Sequence, residues 1–178
     1  MRIGVIGGGR VGSALAERWR AAGHDVRVST RGTIPETAAG SGVVLLAVPA
    51  PVVKEALAAA GPLAGTILVD ATNNLSGGPS TAEIAALVPQ AHVVKAFNTV
   101  FAQYYGGAPP DPPPSMVYCG DDREAKAAAA RLIADAGFEP VDAGELDRAP
   151  DLEAFARLVI GIAYRQGRGP FVYRFQAK

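Results

Sequence analysis

The sequence is poor in the residues that metal and thiol chemistry require. Its 178 residues include one cysteine, Cys119, and two histidines, His24 and His92. A single cysteine excludes an internal disulfide and suits a reducing compartment. Neither histidine has a partner at ligand spacing, so no metal site is expected. His24 is expected at the surface, in the turn after the first helix. An excess of one charge is missing too: 17 basic residues balance 17 acidic ones. No overall field therefore draws the chain to nucleic acid or to an acidic membrane. The apolar runs are too short to span a bilayer. The N-terminus opens directly on a strand pattern rather than a leader peptide. These features suggest a soluble cytoplasmic protein of one domain, residues 1–178. There is no G-x-S-x-G elbow, no Tyr-x-x-x-Lys pair and no room for a large second helical domain. No catalytic side chain is assigned.

What is present is concentrated at the N-terminus, MRIGVIGGGRVG. Ile3, Val5 and Ile6 form a short apolar strand. Gly7, Gly9 and Gly12 follow with the spacing G-x-G-x-x-G. Val11, Leu15 and Trp19 then recur on one helical face. A strand, a glycine turn and a helix in this order suit a dinucleotide-binding βαβ unit. Gly7 permits the tight turn, Gly9 keeps a side chain away from a pyrophosphate, and Gly12 lets the helix lie close on the strand. The helix N-terminus offers N–H groups and a partial positive charge to phosphate. The competing reading is a glycine-rich turn that binds nothing.

A second strand is expected at residues 25–29, after a C-cap near Gly23. It runs into Ser29, Thr30 and Arg31. No acid stands where a ribose-binding Asp or Glu would select NAD. Two hydroxyls and a guanidinium suit a 2′-phosphate instead, unless Arg31 is only a solvated loop charge. Residues 32–42 are too few for both a crossover helix and a third strand. The third strand is expected to be truncated or absent, leaving the adenine side more open.

Further strands are expected at residues 43–48, 66–70, 92–96, 115–119 and 139–142. Helices are expected at 52–60, from the Ser80/Glu83 capping box to Leu87, after Asp121-Asp122 to about Gly137, and at 151–164. A final strand is expected at 171–175. Asp121 and Asp122 fit a helix N-cap better than a metal pair. Cys119 fits a core position better than a nucleophile. Residues 106–115 hold five prolines and form a stiff loop, either a linker or an active-site wall. The strand ends converge: Gly7, Gly8, Gly9, Arg10, Val11 and Gly12; Ala47, Val48 and Pro49; Asp70 to Asn74, with Asn73 as the candidate contact; and Ala96 to Thr99, with Ala96, Phe97 and Asn98 as candidates. This is the crevice of a Rossmann-type, doubly wound α/β fold with a mostly parallel sheet. Lys95 is either an acid in the crevice or a strand lysine near the phosphates. The closing segment, residues 145–178, is a helix and strand extension whose apolar load suits deep burial or a dimer interface. Hydride transfer between two cofactors needs only binding, orientation and water exclusion, which fits the lack of a catalytic side chain.

The series GGGRVG, STR, LAVP, VDATN, KAFNTV, MVYCGDD, GFEPVDAG and GRGPFVYRF resembles the NADPH-dependent reductases of the deazaflavin coenzyme F-420. The resemblance implies a Rossmann fold, NADP(H) at the glycine turn, and a homodimer. It implies pyrophosphate and 2′-phosphate contacts from Gly7, Gly9, Arg10, Val11, Gly12, Thr30 and Arg31. It places Ala47, Val48, Pro49, Ala96, Phe97 and Asn98 beside the nicotinamide and the deazaflavin. Gly8 stands where the family often has a hydroxyl residue. Flavin-using ferric reductases share the domain, so FMN or FAD is the alternative second partner. A redox sensor that binds NADP without turnover is the non-enzymatic alternative.

Overall fold

The protein was analysed as a computed structural model describing residues 1–75 and 77–176. Strand β1 (Arg2–Ile6) is followed by α1 (Arg10–Ala21), β2 (Asp25–Val28) and α2 (Ile34–Ala38). Next come β3 (Val43–Leu46), α3 (Val53–Ala60), β4 (Ile67–Asp70), α4 (Thr81–Leu87) and β5 (His92–Lys95). The chain closes with β6 (Ser115–Gly120), α5 (Arg123–Asp135), β7 (Glu139–Asp142) and α6 (Ala149–Ile160), which runs into a π-helical turn, Gly161–Arg165.

Among the described residues these strands form one seven-stranded sheet in the order β2-β1-β3-β4-β5-β6-β7. The first five are parallel, with Ile3 opposite Val26 and Val43, and Asp70 opposite Leu46 and Lys95. Strand β6 joins antiparallel, and β7 is parallel to β6. The central strands are apolar throughout because both faces are covered. Ile3, Val5, Val43 and Leu45 face α1 and α5; Ile6, Val44, Leu46 and Leu68 face α2, α3 and α4. Helix α6 covers Val117 and Cys119 at the β6 end. The doubly wound reading therefore holds.

Among the described residues, no strand lies between β2 and β3, as the short 32–42 segment implied. A 3-10 turn (Arg31–Thr33) and α2 take its place, and α2 packs on β1 and α3. The final segment differs from expectation. Phe171 to Phe175 is extended but joins no ladder; the Ser115 amide donates to the Tyr173 carbonyl at 3.0 Å, and the Phe175 amide to the Ser115 hydroxyl at 2.9 Å. The proline-rich segment is neither a linker nor a wall of the glycine-turn cleft. It joins β5 to β6 within the one sheet and is clamped by Arg18, which donates to the carbonyls of Tyr104, Gly106, Gly107 and Ala136. Burial of this guanidinium lowers its pKa.

His24 is not at the surface. It is 8% exposed, and its Nε2 lies 2.9 Å from Asp135. The turn containing Gly23 (φ 85°) folds it back under α5. Asp122 caps α5 as expected, accepting from the Ala125 amide at 2.7 Å, whereas Asp121 accepts from the Leu146 amide at 2.8 Å, outside that helix. Cys119 is fully buried, and burial pushes its thiol up to about 12. No helix among the described residues is long and apolar enough to cross a membrane.

The Ser80/Glu83 capping box is present in both directions. Ser80→Ala should lower stability by about 1 kcal/mol in urea denaturation. The Ser80 amide and then its hydroxyl hold the Glu83 carboxyl below its usual range. The box therefore contributes above the ordinary glutamate pKa, and its contribution fades as pH falls through the depressed value. A Ser80→Ala difference that grew on acidification would contradict this. Cys119 should resist alkylation at pH 8 until the protein is unfolded, which a quenched iodoacetamide time course reads directly.

Candidate functional site

The site begins at the β1–α1 turn, where two glycines are required by contact. Gly7 has φ +114°, and a Cβ there would lie 2.3 Å from the Ala47 carbonyl oxygen. A Cβ on Gly12 would lie 2.0 Å from the Gly7 carbonyl oxygen and 3.0 Å from a Val5 methyl. Gly9 differs, since a Cβ there would meet nothing within 4 Å. The turn is thus packed tight on the protein side and open where a ligand approaches. Gly9 caps α1 without any side-chain acceptor, and the first turn of α1 holds no acid. Its free N–H groups are therefore left for an anion. At Gly8 a Cβ would lie 3.3 Å from a Val28 methyl, a contact the side chain could relieve by a small shift.

The end of β2 forms the next wall. Ser29 is buried and extends the ladder through its amide to the Val5 carbonyl at 2.9 Å. Thr30 and Thr33 cap one another: the Thr30 amide donates to the Thr33 hydroxyl at 2.9 Å, and the hydroxyls are 3.1 Å apart. This holds Arg31 at the first position of the 3-10 turn, exposed. Arg31 joins none of the ion pairs among the described residues. A cleft of about 500 Å³ lies here, walled by Gly7, Gly8, Ser29, Thr30 and Arg31 on one side and by Val48 and Pro49 on the other. Ile34 and one face of the α3 region (Val52, Glu55, Ala56, Ala59) complete it. Ile34 of α2 thus closes one end of this cleft. These lining residues went unrecognised in the sequence, although the spacing 52, 55, 56, 59 is a helical face just beyond LAVP.

Farther along the sheet edge, the Ala47 amide donates to the Ile6 carbonyl at 2.8 Å, fixing LAVP beside the turn. Asn73 donates to the Asn98 carbonyl at 2.8 Å, and Asn98 Nδ2 donates to Asn73 Oδ1 at 3.0 Å and to the Leu152 carbonyl at 3.3 Å. The loops after β4 and β5 and the start of α6 are thereby locked together. Two expected site residues are turned away. Ala96 is fully buried, and Phe97 is 2% exposed, with its ring against Trp19 at 5.7 Å. Phe97 has φ +61°, and its carbonyl accepts from the Tyr105 hydroxyl at 2.7 Å. The reversal of the backbone at Phe97 sends the ring into the core, and Asn98 beside it is itself only 5% exposed. Val11 likewise packs on the core side of α1, while Arg10 is exposed.

Lys95 takes neither expected role. Its ammonium is fully buried, donating to Asp70 Oδ2 at 2.9 Å, the Thr72 carbonyl at 2.6 Å and Glu153 Oε1 at 3.3 Å. Asp70 Oδ1 accepts from the Thr72 amide and hydroxyl at 2.9 and 2.7 Å, and its Oδ2 also accepts from Thr81 at 2.8 Å. Every ammonium proton has an acceptor, so none is free to reach a bound molecule. The cluster sets the loop that carries Asn73.

Fold and glycine turn together define a Rossmann-type dinucleotide-binding domain. Residues 2–38 match the family described as NADP oxidoreductase coenzyme F420-dependent. The chain is similar over 99% of its length, and over all of the other chain, to the crystal structure of a proposed F420-dependent NADP-reductase from Arthrobacter sp. FB24, at 28% identity and a TM-score of 0.87. The family resemblance carried by the motifs is thus borne out in sequence and in fold. Metalloreductase STEAP3 of Rattus norvegicus is 32% identical over 174 residues, 86% of this chain, and STEAP2 of Mus musculus is 33% identical over 95 residues. The chain spans 36% and 19% of their respective lengths. A reductive aminase from Aspergillus terreus, solved with NADPH, shares the fold at 19% identity and a TM-score of 0.73, over 94% of this chain and 62% of that one.

The second and third glycines of the motif should respond differently to a methyl group. Gly12→Ala should lower stability by about 2 kcal/mol or more, because backbone must shift. Gly9→Ala should stay within about 1 kcal/mol of wild type while weakening dinucleotide binding. Thermal melts and calorimetric titration read the two effects separately. Lys95→Met should cost about 3–5 kcal/mol in urea denaturation, since it strands Asp70 as a buried, uncompensated charge.

Proposed function

We propose that the chain binds NADP(H) and transfers a hydride between its nicotinamide and a deazaflavin, coenzyme F-420. The observation that carries this reading is the end of β2. Ser29, Thr30 and Arg31 line a cleft beside the glycine turn, and no acid stands at that strand end. The tight packing at Gly7 and Gly12, the open approach at Gly9 and the uncapped start of α1 all fit a pyrophosphate. The family match and the Arthrobacter structure support the deazaflavin.

The roles of the protein's own groups follow. Amides of the α1 first turn hold the pyrophosphate, and Arg31 with Thr30 holds the 2′-phosphate by charge-assisted hydrogen bonds. Val52, Ala56 and Ala59 provide an apolar seat for the adenine. Val48 and Pro49 line the same cleft and carry the nucleotide along the ends of the parallel strands. When bound, the nicotinamide supplies the hydride and the deazaflavin accepts it, with one proton taken from solvent. The chain's contribution is to orient the two rings and exclude water. That is why buried Cys119 and the enclosed Lys95 play no part. The similarity to metalloreductase STEAP3 supports a second reading, an NADPH-dependent ferric reductase, for which the second cofactor would be a flavin.

Anaerobic stopped-flow mixing of protein and NADPH with oxidised F-420, then with FMN, tests the proposal. Rapid loss of deazaflavin absorbance alone is the expected result. Bleaching of FMN alone would select the flavin reading, and tight NADPH binding without turnover would select a sensor. Arg31→Ala should weaken NADPH binding by about 1–3 kcal/mol and leave NADH nearly unchanged. Equal losses for both nucleotides would remove the 2′-phosphate assignment.

A further inference from the structure

The cleft beside the glycine turn carries one charge of each sign. Among its lining residues Arg31 is the only cation and Glu55 the only carboxylate. Both are exposed, and neither joins an ion pair among the described residues, with the other or with a third group. Arg31 stands just beyond β2. Glu55 comes from a different wall, in the first turn of α3. Its neighbour Lys54 is turned away, into a groove formed with the end of α4.

Glu55 is the odd member of its face. Val52 lies three residues before it, Ala56 next to it and Ala59 four residues after it, all lining the same cleft. Positions at this spacing share one side of a helix. The small apolar side chains make a flat wall, and the carboxylate adds a hydrogen-bond acceptor to it. An ionised carboxylate accepts and cannot donate. It also repels phosphate, the more strongly where the cleft excludes water. Glu55 therefore does not serve the phosphate groups, which the α1 N-terminus and Arg31 already accommodate. On the adenosine half of NADP(H) the neutral donors are the ribose 3′-hydroxyl and the 6-amino group of adenine. The 3′-hydroxyl adjoins the 2′-phosphate and stays with it at Arg31. The 6-amino group, at the edge of the base, is left for Glu55.

We propose that Glu55 is a specificity-determining residue that reads the base of the nucleotide. Its carboxylate accepts a hydrogen bond from the 6-amino group of an adenine lying on Val52, Ala56 and Ala59. A dinucleotide whose base has a carbonyl at that position is rejected, because its oxygen would face the carboxylate with no proton between them. This rests on the NADP(H) part of the proposed function and adds a second selection to it. Arg31 selects the phosphate, and Glu55 selects the base.

The test is calorimetric titration of the full chain with NADPH and with reduced nicotinamide hypoxanthine dinucleotide phosphate, in which a carbonyl replaces the 6-amino group. Wild type should bind NADPH at least about tenfold more tightly than the hypoxanthine analogue. Glu55→Gln can donate as well as accept, so it should bring the two affinities within about threefold, chiefly by tightening the analogue. Glu55→Ala should flatten the ratio by weakening NADPH. Both variants should keep the wild-type preference for NADPH over NADH. Equal wild-type affinity for the two bases would overturn the proposal, as would one ratio shared by all three proteins. So would a Glu55→Gln variant that binds both bases more tightly and prefers NADPH over NADH more strongly, which would put the carboxylate beside the 2′-phosphate. A lower melting temperature with an unchanged base ratio would assign Glu55 to the α3 N-terminus alone. NADPH binding without base discrimination overturns this inference only, whereas wild type that binds no NADPH removes the dinucleotide reading with it.

Discussion

A lysine ammonium with no access to water is the constraint around which the second half of the crevice is arranged. Lys95 is balanced by Asp70 on the neighbouring strand and Glu153 on α6, and it also holds the Thr72 carbonyl. A charge buried in this way is tolerable only when its geometry is closely satisfied. That requirement fixes three elements at once: the loop after β4, the end of β5, and the first turn of α6. The Asn73–Asn98–Leu152 hydrogen bonds sit directly on this frame. The C-terminal extension is thus tied to the Rossmann sheet by polar contacts at the crevice as well as by apolar packing on β6.

The first half of the crevice is held by contact rather than by charge. Gly7 meets the Ala47 backbone and Gly12 meets the Gly7 backbone, so β1, the turn, α1 and the end of β3 share one tightly packed junction. The only slack in it is at Gly9, on the ligand side. The two halves do different work. The glycine junction leaves an anion site with no side-chain competitor, and the Lys95 frame presents neutral amides and aromatic surface. The cleft itself holds the exposed carboxylate of Glu55 with the hydroxyls of Ser29 and Thr30, whereas the Lys95 ammonium and the Cys119 thiol are buried away from it.

Much of this was legible in order along the chain. The glycine spacing, the period-2 apolar runs and the Ser80/Glu83 box each report local geometry, and local geometry follows from residue type. The absence of a strand between β2 and β3 was legible from length alone. Phe97 was misread because its position in AFN suggests exposure at a strand end. Only its left-handed backbone, locked by Tyr105, turns the ring inward. His24 was misread for a similar reason: nothing near it in sequence announces Asp135.

By itself, therefore, the sequence determined the alternating α/β order, the glycine turn after β1 and the lack of an acid after β2. Each depends on neighbours within a few residues. Tertiary structure decided what long-range pairing controls. It enclosed Lys95 between carboxylates 25 residues before it and 58 after it. It carried the α3 face into the cleft beside the glycine turn, and it brought Phe101 against Tyr164 and Phe171. A polar or aromatic side chain far apart in sequence from its partner has no local signature. Its role is set by which partner the packed sheet brings within reach.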